Sequence, residues 1–349
     1  MKNSLTSIAF AAAIAGLTAT TAFADNVLLK VPFAFNPKLP NVTMAATALE
    51  KNLPAIRDDI KVKIYAPGKL VPAFEILDAV STGKVNAGFA LAAYWAGKIP
   101  AAPIFSAVPF GPGSSEILAW YHQGNGAALH QEIYERAGYN VHPVMCGMLA
   151  PATAGWFQKE INSLSDFEGV KIRSIGLGAR VLQKVGASTS ALPVAEIYPA
   201  LEKGAIDAVE LSGPAVDSML GFPKVARYNY FPGWQKPSVP YELLINGDTW
   251  KAMSDGQKIA IETACGFAVA ATIAEGEAVQ FKPMAGYAES GVEVRKLSDD
   301  VLAGLEAAWD EVAAELSAGD EMFKKVYDDL QAFRAGYAIW GDNSALPRN

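Results

Sequence analysis

Two stretches decide the fold: EILDAVSTGKVNA at residues 75–87 and EIYPALEKGAIDA at residues 196–208 share one gap-free pattern, offset by 121 residues. The shared pattern is E-I-x-x-A-[VL]-x-x-G-x-[VI]-[ND]-A, which predicts a short helix, a glycine and a buried strand. Gly83 and Gly204 suit the left-handed backbone that closes a helix. Chance similarity of two such units is the alternative. The repeat favours two similar α/β lobes with a cleft between them, as in proteins that close around a small ligand.

Composition narrows the class of protein. The chain has 349 residues, 51% of them apolar, so it can bury a sizeable core and is not disordered as a whole. Its formal net charge of −7 argues against nucleic-acid partners, which need a basic face, and against a polybasic membrane patch.

Strand-like and helix-like segments alternate, which is typical of an α/β fold. An N-cap at Ser298 begins one predicted helix, whose apolar side chains recur at helical spacing and so predict core packing. Residues 249–288 predict a long helix that reaches both lobes. The predicted strands are 27–35, 60–67, 85–91, 139–148, 171–176, 205–211, 241–246 and 292–297.

The N-terminus has the pattern of a secretory signal peptide. Lys2 precedes an apolar run at residues 8–17, and the small-x-small triplet ending at Ala24 predicts cleavage there. A buried first helix and an uncleaved membrane anchor are the alternatives. Export to the periplasm would also permit a disulfide between Cys146 and Cys265, but the sequence favours two unpaired core cysteines.

No set of catalytic residues stands out in the sequence. The three histidines lack metal-site spacing, and no G-x-S-x-G, P-loop or G-x-G-x-x-G motif occurs. Arg173 and Glu210 are more informative, because each lies at the end of a predicted strand, where α/β proteins place ligand contacts. A guanidinium there can bind a carboxylate in a bidentate manner. The alternative is an exposed arginine on an edge strand.

The chain resembles the DctP-type solute-binding proteins of TRAP transporters in two stretches, GWFQKEINSLSDFEGVKIRSIGLGARVLQKVGAS and LPVAEIYPALEKGAIDAVELSGP. AYWAGKIPAAPIFSAVPFG (93–111) and YNYFPGWQKP (228–237) resemble the branch that binds 2-oxo and 2-hydroxy acids. The resemblance covers essentially the whole mature chain. It implies a periplasmic two-lobe α/β protein with hinge strands, which hands an organic anion to a sodium-driven permease and is not an enzyme.

The resemblance also implies site residues. Arg173 matches the arginine that bonds the substrate carboxylate, and Tyr94 matches a pocket tyrosine, with Trp95 beside it. Related proteins hold a metal ion at three further positions, which are Ala152, Glu210 and Lys236 in this chain. The side chains of Ala152 and Lys236 cannot bind a cation, so we expect the family's metal site to be lost and no cofactor to be bound. Binding of sodium or calcium is the alternative.

We therefore hypothesise that the ammonium of Lys236, in the loop that also carries Trp234, replaces the metal ion. It would balance the negative charge of Glu210 and donate hydrogen bonds to the ligand. The alternative is that Lys236 points to solvent. Leu211, like Ala215 and Val216, stands where the branch has a larger or more polar residue. The site is therefore expected to be roomier and more apolar, and to suit a larger or more apolar monocarboxylate than pyruvate or lactate. The alternative is that side chains such as Phe35 or Phe110 refill the space.

The resemblance divides the chain into a signal peptide (1–24), a first lobe (25–148 and 238–270) and a second lobe (149–237 and 271–349). A homodimer through C-terminal helices is compatible with the sequence. Other classes of protein left open are an ABC-type binding protein, a ligand-sensing module and an exported hydrolase. The sequence does not identify the carboxylate.

Overall fold

Strands and helices alternate in the computed structural model, which describes residues 26–344. The predicted α/β class is confirmed, and the predicted signal peptide lies outside the described residues. The strands are β1 Val27–Pro32, β2 Ile60–Tyr65, β3 Ala87–Ala90, β4 Val141–Leu149, β5 Gly155–Phe157, β6 Lys171–Arg173, β7 Ser188–Ser190, β8 Ala208–Val209, β9 Tyr228–Phe231, β10 Val239–Asn246 and β11 Glu293–Lys296.

The helices connect these strands. The α-helices are α1 Thr43–Thr47, α2 Leu53–Ile56, α3 Ile76–Ser81, α4 Ser114–Gln123, α5 Gly126–Arg136, α6 Gly176–Lys184, α7 Val194–Glu202, α8 Pro214–Met219, α9 Gly247–Ala252, α10 Asp255–Ala278, α11 Phe281–Ala285, α12 Asp299–Gly319 and α13 Glu321–Ser344. A π-helical segment, Ala48–Asn52, joins α1 to α2. Short 3₁₀ turns lie at Ala73–Glu75, Ala92–Trp95, Ala102–Phe105, Leu164–Phe167, Phe222–Lys224 and Ala288–Ser290.

The strands form two groups. Strands β3, β10 and β4 form an antiparallel sheet in that order, and a bridge between Phe33 and Phe89 connects it to the parallel pair β1 and β2. The other six strands form a second sheet in the order β11-β9-β5-β8-β6-β7. In this sheet β5 runs antiparallel to β8 and β9, whereas the other pairs are parallel.

Both copies of the repeat adopt the predicted unit. Helix α3, Gly83 and strand β3 form one copy, and helix α7, Gly204 and strand β8 form the other. The two glycines have φ angles of 73° and 68°, which confirms the predicted left-handed closure. Because β3 and β8 lie in different sheets, each sheet contains one copy of the unit.

The chain passes between the two sheets after β4 and again before β10, and these two crossings lie side by side. The backbone N–H of Ala154 donates to the carbonyl of Tyr230 at 2.7 Å. The backbone N–H of Ala152 donates to the backbone carbonyl of Lys236 at 3.2 Å. A Cβ on Gly233 would lie 2.0 Å from the Ala152 carbonyl oxygen, so a side chain there would force the backbones apart. This close approach fixes the loop that carries Lys236.

The segment predicted as one long helix forms α9, α10 and α11 in succession. Helix α10 packs along β4, where the backbone N–H of Met148 donates to Thr272 Oγ1 at 2.8 Å. Just beyond its end, Gln280 Oε1 accepts from the backbone N–H of Ala215 at 3.0 Å, next to the second sheet. A long helix is therefore present as α10, but it is shorter than the predicted 249–288, and the contact with the second sheet lies just beyond its end.

Cys146 of β4 and Cys265 of α10 form a disulfide bond, and both side chains are buried. The expectation of two unpaired core cysteines is therefore wrong. The two residues are 119 positions apart in sequence, but the packing of α10 on β4 brings their Cα atoms to 4.2 Å. A contact of this kind depends on tertiary packing, which the sequence spacing does not reveal.

Helix α12 begins as predicted, with Ser298 Oγ accepting the backbone N–H of Val301 at 3.3 Å. Its apolar stripe is buried, and Trp309 packs against Tyr327 of α13 with ring centroids 5.7 Å apart. The stripe is therefore core and is not available as a contact surface for a second chain.

The predicted bounds of the lobes stay a prediction, and the packing of α13 argues for one change in them. Lys325 of α13 pairs with Glu132 of α5 at 2.6 Å, and the Trp120 indole of α4 donates to Asp329 at 2.8 Å. Helices α4 and α5 belong to the predicted first lobe. The predicted division groups 271–349 with the second lobe, whereas these contacts place α13 against the first.

Candidate functional site

A small cavity lies between the two sheets and is lined mainly by apolar side chains. Five of the predicted site residues line it: Phe35, Tyr94, Arg173, Leu211 and Lys236. The structure thus brings together residues that lie up to 201 positions apart in sequence, from Phe35 to Lys236.

Arg173 is held by its strand. Strand β6 lies between β8 and β7, so the alternative of an exposed edge-strand arginine is excluded, and Arg173 has no exposed surface. Its Nε donates to the carbonyl of Leu192 at 3.2 Å, and its Nη1 donates to that of Glu210 at 3.0 Å. Nη2 is buried with no hydrogen-bond partner among the described residues. A buried donor left unpaired is costly, so Nη2 is available to an acceptor in the cavity.

Lys236 points inward and is 4% exposed. Its Nζ lies 2.5 Å from Glu210 Oε1 and donates to the carbonyl of Leu211 at 3.0 Å. Burial lowers the pKa of Lys236, and the Glu210 carboxylate opposes this effect. An ammonium has three donors, so one N–H remains for the cavity that Lys236 lines.

Glu210 lies beneath the cavity wall and does not line the cavity. Its backbone follows β8 and its N–H donates to the carbonyl of Arg173 at 2.9 Å. The side chain is buried, with Oε2 accepting from Ser174 Oγ at 3.0 Å and Oε1 facing the Lys236 ammonium. Glu210 therefore holds Lys236 in place and neutralises one of the two buried cations.

Tyr94 contributes a hydroxyl to the cavity. Its ring packs against Phe35 and Phe74, with centroids 5.6 Å and 4.6 Å away. Burial raises the pKa of Tyr94 to about 12, and the neighbouring Arg173 guanidinium opposes this shift. The hydroxyl is therefore neutral at pH 7 and can donate a hydrogen bond.

Ser212 is a cavity residue that sequence reasoning missed. It lines the cavity, and its Oγ is buried with no hydrogen-bond partner among the described residues. It follows Glu210 by two positions, and its carbonyl accepts from the Thr153 N–H at 3.0 Å. The available signal was the turn-like SGP that follows the strand.

Trp95 faces away from the cavity. Its indole N–H donates to Glu242 Oε1 at 2.6 Å, while Tyr134 and His130 contact the other oxygen of that carboxylate at 2.8 Å and 3.1 Å. All four side chains are buried. This polar cluster anchors the 3₁₀ turn that also presents Tyr94.

Trp234 and Ala152 are buried near the crossing segments but do not line the cavity. Trp234 stacks on Phe110 with ring centroids 5.6 Å apart. Ala152 contacts the backbone of the Lys236 loop. These two residues shape the loop and have no described contact with the cavity.

Asp217 is a buried carboxylic acid close to this group. Its Oδ2 accepts from the Trp156 indole at 2.9 Å, and Oδ1 has no partner among the described residues. Burial raises the pKa of Asp217 to about 7, and the negative charge of Glu210 adds to that effect. Asp217 therefore titrates near neutral pH, beside the cavity-lining Val216.

Comparison with known proteins connects this site to a family. Residues 37–320 match the family model described as bacterial extracellular solute-binding protein, family 7. The monocarboxylate 2-oxoacid-binding periplasmic protein of Nostoc sp. is 32% identical over 315 residues, which cover 90% of this chain and 86% of that protein.

Two solved structures are similar over nearly their whole length. A TRAP transporter solute-binding protein from Bordetella bronchiseptica, a mixed-occupancy dimer with copurified calcium and picolinate, is 31% identical with a TM-score of 0.89, covering 92% of this chain and 95% of that one. One from Pseudoalteromonas atlantica, with bound sodium and pyruvate, is 28% identical with a TM-score of 0.86, covering 92% and 97%.

Proposed function

The chain belongs to the family of bacterial extracellular solute-binding proteins, family 7, and on this basis we propose that it captures one organic monocarboxylate between its lobes. Delivery of that anion to the membrane subunits of a TRAP transporter completes the proposed role. Cleavage of the N-terminal segment after Ala24 is part of the proposal.

Membership of the family confirms several expectations. The resemblance to DctP-type proteins, the two-lobe α/β fold and the role in solute binding are confirmed. The family consists of substrate-binding receptors of transporters, so the expectation that the chain is not an enzyme is also confirmed. These receptors act outside the cytoplasm and work with membrane permease subunits.

One observation carries the choice of ligand. The buried Nη2 of Arg173 has no partner among the described residues, and it belongs to a side chain that lines the same cavity as Lys236. A carboxylate placed there would accept from Nη2 and from the free N–H of Lys236. Tyr94 and Ser212 supply further hydroxyl groups to the same cavity. Charge-assisted hydrogen bonds of this kind are roughly twice as strong as hydrogen bonds between neutral groups.

The charges of the site favour a single carboxylate. Arg173 and Lys236 contribute two positive charges, and Glu210 contributes one negative charge, all buried. The nearby Asp217 is neutral below its pKa of about 7. With Asp217 protonated, one monocarboxylate brings the sum to zero, whereas a dicarboxylate would leave a buried negative charge uncompensated. Uncompensated buried charges cost several kcal/mol, on the order of 3–5.

The residues of this site do not fit a bound metal ion. Sodium and calcium bind oxygen ligands, but Ala152 offers no side-chain oxygen and Lys236 places an ammonium 2.5 Å from Glu210. No group of three or more His, Cys, Asp and Glu side chains within residues 26–344 could hold an ion. We infer that the ammonium serves where the related proteins carry calcium or sodium.

A binding screen tests the proposed ligand class. Because a bound ligand raises stability by mass action, a 2-oxo or 2-hydroxy monocarboxylate should raise the Tm of the protein. Arg173→Lys should abolish most of that shift, since a lysine cannot reproduce the guanidinium geometry. Arg180→Lys, at an exposed position of α6, is the matched control and should behave like the wild type. Equal ligand-induced rises in Tm for both variants would contradict binding of the ligand carboxylate by the Arg173 guanidinium.

A homodimer belongs to the proposal as well. One related structure is a dimer, and helix α13 exposes Ile339 (78%) and Trp340 (66%) near its end. Exposed apolar side chains of this size are typical of contact surfaces. Sedimentation of the wild type and of Trp340→Ala tests this: a dimer that the substitution dissociates supports it, and a monomeric wild type contradicts it.

A further inference from the structure

A second, larger pocket lies next to the cavity and shares part of its lining. Phe35, Leu39 and Val194 line both spaces, so these three side chains form the partition between them. We call this second space the outer pocket. Its remaining wall includes Pro67 and Ala73 on one side of the cleft and Ala195 on the other.

We propose that the outer pocket is a subsite for the apolar tail of the ligand, whose carboxylate lies on Arg173 and Lys236. This inference rests on the proposed function and names the substrate class: a monocarboxylate with an extended apolar chain. The three residues that the two spaces share, Phe35, Leu39 and Val194, are apolar. A ligand held by its carboxylate on Arg173 and Lys236 reaches the outer pocket only across this apolar partition.

The charge of the outer pocket excludes a second acidic group on the ligand. Within the described chain, Glu196 is the charged side chain that lines it, beside the amide of Asn36. A negatively charged tail would be repelled there, and the lining supplies no cation to bind it. The apolar tail, by contrast, would bury its methylene groups against proline, alanine and the partition residues.

The partition is most exposed at Val194, which is where a tail would pass. Val194 is the first residue of α7 and is only partly buried, and its neighbour Ala195 is exposed. Phe35 contacts the rings of Tyr94 and Tyr241 at tilted angles, with centroids 5.6 Å and 5.7 Å away. These residues come from opposite sides of the cleft, so a small opening of the lobes would connect the two spaces.

Titration calorimetry with straight-chain 2-oxo monocarboxylates of three to seven carbons tests the subsite. Each buried methylene should tighten binding by roughly threefold to fourfold, so the longer acids should bind far more tightly than pyruvate. A five-carbon 2-oxo dicarboxylate should bind more weakly than the monocarboxylate of equal length.

Ala195→Trp fills the outer pocket without reaching the cavity and should abolish the gain with chain length while leaving pyruvate binding unchanged. Ala127→Trp is the matched control, because Ala127 is likewise the exposed second residue of an α-helix. Equal affinity across the series, with pyruvate still bound, would overturn the subsite alone. No binding of any acid in the series would overturn the carboxylate function itself.

Discussion

Replacing Lys236 with methionine removes the cation beside the buried Glu210 carboxylate and nearly preserves the length of the side chain. In the wild type the two groups are 2.5 Å apart, with the side chains 5% and 1% exposed. Methionine leaves Glu210 with the Ser174 hydroxyl as its remaining side-chain donor. The carboxylate then loses its direct ion-pair partner, while the buried Arg173 guanidinium nearby donates to the Glu210 backbone carbonyl and not to its carboxylate.

The magnitude follows from that burial. Breaking a buried ion pair by removing one partner costs about 3–5 kcal/mol. A chain of this size changes its Tm by roughly 1.5–2 °C per kcal/mol, so Lys236→Met should lower the Tm of the ligand-free protein by about 5–10 °C. The assay is thermal unfolding without ligand, so loss of binding does not enter the result.

Two comparisons make this prediction specific. The double variant Lys236→Met with Glu210→Gln removes both charges and should recover most of the lost Tm. Lys324→Met removes one half of the exposed pair with Asp328, whose side chains are 58% and 57% exposed, and should change stability by no more than about 1 kcal/mol. A Tm of Lys236→Met within 1 °C of the wild type, or no recovery in the double variant, would refute the reasoning.

Further predictions concern the site and the core. Arg173→Lys should weaken binding of a monocarboxylate by about 2–5 kcal/mol in calorimetry, and unchanged affinity would contradict the clamp. The pKa of Asp217 lies at about 7 in the fold, above its ordinary value of 3.8, so the stability it contributes is complete below pH 3.8 and is lost as pH rises through about 7. Asp217→Asn should therefore remove a fall in Tm between about pH 4 and pH 7 that the wild type shows, and identical pH profiles would contradict this. Replacing Cys146 and Cys265 with alanine should lower the free energy of unfolding by about 2–4 kcal/mol in urea, and an unchanged midpoint would contradict a stabilising disulfide.

The sequence predicted those features that depend on local pattern. The two left-handed glycines, the N-cap at Ser298 and the position of Arg173 at a strand end each follow from a few neighbouring residues. Strands β5 and β7 were missed because three residues are too few for a periodic signal. Strand β9 was missed because its aromatic residues run into a Pro-Gly turn.

The features that the sequence could not supply depend on how distant segments pack. The disulfide needs helix α10 to lie on β4, and the direction of Trp95 is set by the buried carboxylate of Glu242, 147 positions later in the chain. The role of Ser212 depends on the position of its unpaired hydroxyl on the cavity wall, which only the folded chain defines. The inward direction of Lys236 likewise depends on the close contact of Gly233 with Ala152.

Titration of a 2-oxo monocarboxylate into protein treated with a chelator, in a buffer free of sodium, tests the central claim most directly. If the Lys236 ammonium serves where related proteins carry a metal, the dissociation constant should be the same after calcium or sodium is added. Binding that appears only once one of these ions is present would contradict the account.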